Sequence, residues 1–97
     1  MTPNQIWGIM GALERAPMIP SAEAAHEALY LAREVTLDAW ASKVATPGDA
    51  RKMFDTASSR LERIEQLTAL SGEQLPLVLV ARILATNAQE DIRRNCC

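Results

Sequence analysis

Aromatic side chains are scarce in this chain: two Trp, one Tyr and one Phe, 4% of 97 residues. A core built on stacked rings is thereby excluded. The apolar content, 48% of residues, comes mainly from Ala, Leu, Ile, Val and Met, side chains that suit close helix–helix packing. Histidine is scarcer still. With His26 as the only one, zinc centres with two or more imidazole ligands are excluded, and a Ser or Cys nucleophile has a single imidazole to serve as its base. The two cysteines, Cys96 and Cys97, are adjacent and terminal, so they close no loop and staple no fold. A chain without a disulfide framework fits a reducing, cytoplasmic setting.

An excess of one charge is also missing. Ten basic and twelve acidic side chains leave a net charge of −2. A nucleic-acid binder generally carries a basic excess or stripe, because phosphate neutralisation dominates its affinity, and a DNA mimic would need a far stronger negative balance. The longest apolar run, 75–81 resuming at Ile83, is broken by Arg82 and is too short to span a bilayer. Residues 1–15 show neither the basic start nor the apolar stretch of a signal peptide. These features together predict a cytoplasmic protein with no membrane association.

What is present is helical punctuation around amphipathic segments in one domain, residues 1–97. Thr2, Pro3 and Gln5 have the spacing of a helix start, and Ile6, Ile9, Met10 and Leu13 follow at helical intervals. Pro17 and Pro20 frame a loop containing Met18 and Ile19. Ser21 opens a long segment with Ala25, Ala28, Leu29, Ala32, Val35 and Ala39 on one stripe, widened by Leu31, Leu37, Trp40 and Val44. Thr46-Pro47-Gly48-Asp49 is the clearest boundary: a cap, a proline at the first helical position and a negative charge in the first turn. The segment after it is amphipathic, and Ser71-Gly72 is expected to end it with Gly in the left-handed position. The last segment is apolar almost all round from Leu77 to Ala85, so it is central in the domain or covered on a second side by another chain. The pattern predicts an all-α, antiparallel bundle of about four helices, at 3–15, 22–45, 47–70 and 75–94, followed by a frayed tail at 95–97.

Tested for chemistry, the chain offers little. His26 stands near Glu23, Glu27 and Tyr30; proton transfer by His26 and Tyr30 is one reading, and a histidine resting between surface carboxylates is the plainer one. Cys96 and Cys97 could hold a metal, a disulfide between copies or a lipid, but free thiols on a terminal tail are expected. No catalytic residue, metal site or cofactor is assigned. The basic pairs, Arg51 with Lys52 and Arg93 with Arg94, alternate with acids and read as a solvated face. Trp, Tyr and Met are enriched in contact hot spots, which makes Trp7, Met18, Ile19, Tyr30 and Trp40 the candidate partner contacts. The expected function is a small non-catalytic protein-binding protein that occludes or regulates a macromolecular partner, such as a phage inhibitor of host defence or an immunity protein. It is expected to form a homodimer through its second and fourth helices, because their apolar girth exceeds what so small a chain covers. A DNA- or RNA-binding transcriptional regulator is the alternative.

Overall fold

The computed structural model describes residues 5–7 and 20–96. The fold is an all-α bundle. Its long helices are α1 (Pro20–Ser42), α2 (Pro47–Thr68) and α3 (Leu75–Cys96), and a short 3₁₀ turn at Gly72–Gln74 leads into α3. Residues 5–7 are helical as well, with Ile6 fully buried in the common core. The rest of the expected first helix, with its glycines and the loop bearing Met18 and Ile19, lies outside the described residues.

Long-range side-chain bonds fix the helix directions. Asp38 and Glu27 of α1 meet Arg60 and Arg63 of α2, so these two helices run antiparallel. Gln89 bonds Ser58, and Arg82 pairs with Glu65, so α3 is antiparallel to α2. Asn95 reaches Ser42, which sets α3 parallel to α1. The core between them is made largely of small side chains. Ala25, Ala28, Ala32 and Ala39 of α1, Ala57 of α2, and Ala81, Ala85 and Ala88 of α3 are buried, with Leu29, Val35, Ile64, Leu67, Val78 and Ile92 filling the spaces among them.

The start of α2 agrees with the local signals. Thr46 is extended, at φ −68° and ψ 155°, and its hydroxyl accepts the Asp49 amide at 3.2 Å. The ends of the helices differ from the sequence expectation. The first long helix stops at Ser42, short of residue 45, because Lys43 and Val44 donate to Trp40 and Ala41 in tighter i−3 bonds and a residue preceding proline favours extended backbone. Val44, expected on the apolar stripe, is 91% exposed in that turn. The next helix stops at Thr68, short of residue 70, capped by Ala69. Gly72 is not its terminating residue. With φ 51° it instead opens the 3₁₀ turn that reverses the chain.

The last helix runs past its expected end at residue 94, since α3 continues through Cys96. Asn95 Nδ2 donates to Ser42 Oγ at 3.0 Å and to the Asp91 carbonyl at 3.0 Å, while Ser42 Oγ donates to the Ala39 carbonyl at 2.7 Å. Replacing Ser42 by Ala removes a buried hydroxyl that anchors the end of α3. The expected loss is about 0.5–1.5 kcal/mol, accompanied by faster amide exchange in the last turn of α3 than in its middle, as hydrogen-exchange NMR would record.

Candidate functional site: the outer face of the last helix

In α3, Val78, Ala81, Ala85, Ala88 and Ile92 are buried, a spacing that turns one side of the helix to α1 and α2. The opposite side carries Leu79, Val80 and Ile83, at 40%, 37% and 60% exposure, with Leu75 at its edge at 37%. The helix expected to be central is therefore covered on one side only. Its N-terminal half presents an apolar strip, and its C-terminal half turns polar at Asn87, Glu90 and Arg94.

Two depressions join along this face. The first, of about 440 Å³, is shallow and lined by Leu79, Arg82, Ile83, Thr86 and Asn87. The second, of about 130 Å³, is a notch between α1 and α3 that includes Trp40, Leu84, Asn87 and Asp91. Asn87 lines both, so the strip and the notch form one surface ending at Trp40, which is half exposed.

The sequence-derived contact residues do not gather there as a group. Trp40 is part of the surface. Trp7 lies over Arg33, 4.2 Å from guanidinium carbon to ring centroid, and Arg33 Nη1 also bonds Glu34 at 2.9 Å; Trp7 is engaged within the fold, with an edge left exposed. Tyr30 is 45% exposed on α1, ten residues before Trp40. Met18 and Ile19 lie outside the described residues. The residues that sequence reasoning passed over are Asn87 and Asp91. The one available signal was the all-round apolarity of 77–85, which left the helix either central or covered on a second side by another chain.

A third depression, of about 310 Å³, lies between the start of α1 and the end of α2, lined by Glu23, Ala24, Glu27, Arg63, Leu67 and Leu70. Two of its three charged side chains already pair with each other: Arg63 Nε donates to Glu27 at 2.7 Å, and that bond, with the nearby carboxylate charge, raises the Arg63 pKa. Glu27 therefore faces Arg63 across the helix pair. Among the described residues no group of three or more His, Cys, Asp or Glu side chains could hold a metal ion. No described helix is long and apolar enough to cross a membrane.

The charged surface is also largely self-paired. Each described arginine, Arg33, Arg51, Arg60, Arg63, Arg82, Arg93 and Arg94, lies within ion-pair distance of a carboxylate. The hydrogen bonds from Arg93 lower the Glu90 pKa, burial opposes this, and the charges of Arg93 and Arg94 add to the lowering. A phosphate backbone would have to compete with these pairs. Compared with family models, curated proteins and solved structures, the chain matches none.

Proposed function

We propose that this chain acts by contact, as a non-catalytic protein-binding protein that occludes or regulates a macromolecular partner, in the manner of a phage inhibitor of host defence or an immunity protein. The observation that carries the reading is the uncovered strip of Leu75, Leu79, Val80 and Ile83 running toward half-exposed Trp40. Contiguous apolar surface rimmed by polar residues marks interaction sites, and aromatic anchors concentrate binding energy. The charge balance, ten basic against twelve acidic side chains, weighs against a DNA- or RNA-binding regulator. The comparison with known inhibitors rests on size and helical class, an analogy of kind.

In the absence of its partner the same face closes on a second copy, giving a homodimer through α1 and α3. The gradient along α3 limits this contact. In an antiparallel pairing centred on Ile83, Leu79 of one copy lies opposite Asn87 of the other, so the dimer is expected to be weak and dependent on concentration. Size-exclusion chromatography with light scattering checks it. The expected result is a mass that rises from one chain toward two across micromolar concentrations. A mass of one chain throughout that range would sink the dimer.

A further inference from the structure

We propose that the notch between α1 and α3 receives an arginine or lysine side chain of the protein partner, so that recognition combines one buried cation with the apolar strip beside it. This rests on the contact reading above and adds the chemistry of the partner. The notch, of about 130 Å³, is floored by Ala39 and Ala88 and walled by Trp40, Leu84, Asn87 and Asp91. Each wall suits one part of a long cationic side chain. The Asp91 carboxylate neutralises the head, the Asn87 carbonyl oxygen accepts one of its N–H groups, the indole attracts the cation through its ring face, and Leu84 with the alanines lines the path of the methylene stem.

These groups are open to a ligand. Neither the Asn87 carboxamide nor the Trp40 indole N–H bonds a described residue. Asp91 meets Arg94 at 3.4 Å, with the two side chains 54% and 68% exposed, a surface contact that is readily exchanged. The chain fills comparable places elsewhere with its own arginines: Arg33 lies over Trp7 at 4.2 Å and Arg51 over Phe54 at 5.7 Å. Trp40 shares the notch with the Asp91 carboxylate, and among the described residues no guanidinium lies over its ring. A neutral side chain in the notch would gain nothing from Asp91, and an acidic one would be repelled by it. Asn87 lies one helical turn beyond Ile83, roughly 6 Å along α3, so a partner seated on Leu79 and Ile83 places its cation about one turn from its apolar anchors.

The test is selection of a displayed random-peptide library on the full chain. The selected peptides are then measured against Ile83→Asp, Asp91→Asn and Trp40→Leu, with circular dichroism confirming that each variant is folded. The expected peptides share a basic residue about one helical turn from an apolar pair. Their binding falls roughly tenfold or more with Asp91→Asn, and also when the basic residue is replaced by norleucine, and the two losses are not additive. Trp40→Leu weakens the basic peptide more than its norleucine analogue. Peptides that bind wild type and lose binding with Ile83→Asp, yet share no basic residue or ignore Asp91→Asn, overturn the cation site and leave the contact reading standing. A library that yields no binder, or binders indifferent to Ile83→Asp, overturns the contact reading and the cation site with it.

Discussion

Replacing Ala85 with Leu is expected to lower the thermal midpoint by on the order of 5–20 °C. Ala85 is fully buried in the side of α3 that faces α1 and α2, in one cluster with Ala25, Ala28 and Ala32 of α1. Methyl groups at such positions set how closely helix axes approach. Three additional carbons have no space there, and overpacking a filled core costs roughly 1–3 kcal/mol. In a domain of about this size each kcal/mol moves the midpoint by roughly 4–8 °C. Helix propensity is not the cause, since Leu is nearly as favourable as Ala in a helix. Ala41→Leu on the exposed side of α1 is the control, expected to change stability by less than about 0.5 kcal/mol. Differential scanning calorimetry at one fixed protein concentration separates the two, because association would otherwise shift the midpoints. Equal and small effects would mean that the alanine contacts are loose.

The parts of the fold that were legible in the sequence are those decided by local contacts. Thr46, Pro47 and Asp49 announce the start of α2 because capping is local: the hydroxyl that accepts the Asp49 amide is three residues away. The far ends were not legible, because they are decided elsewhere. Asn95 is kept helical by a serine 53 residues distant, which no local pattern reveals, and α1 stops where the approach to Pro47 requires extended backbone. The all-α class followed from spacing alone. Which side of α3 would be covered did not, since 77–85 is apolar around the whole helix and only its neighbours choose a face. The two tryptophans diverge for a similar reason. Trp7 meets Arg33 across 26 positions of sequence, whereas Trp40 gains Asn87 and Asp91 only because α1 and α3 run parallel. The register of two helices separated by a third is a property of the assembled core.

Ile83→Asp is expected to abolish association while leaving the fold intact, and the contrast between those outcomes gives it its value. Ile83 is 60% exposed at the outer pole of α3, so in the isolated chain the substitution exchanges one solvent-facing side chain for another, with a change in stability of about 0.5 kcal/mol or less. In a complex the same position would lie at the centre of the strip, flanked by Leu79 and Val80 and one turn from Asn87. A carboxylate buried there without a partner loses its hydration, and hot-spot positions typically contribute about 2 kcal/mol or more, equivalent to at least roughly thirty-fold in affinity. Light scattering should then show one chain at concentrations where wild type pairs, with unchanged circular dichroism and thermal midpoint. Val44→Asp provides the matched comparison: an equally drastic loss of apolar character at a side chain that is 91% exposed, in a turn away from the strip. If Val44→Asp disrupts pairing as much as Ile83→Asp, association follows general hydrophobicity and the outer face of α3 has no special part in it. If Ile83→Asp alone does so, the uncovered strip is the surface through which the protein makes contact.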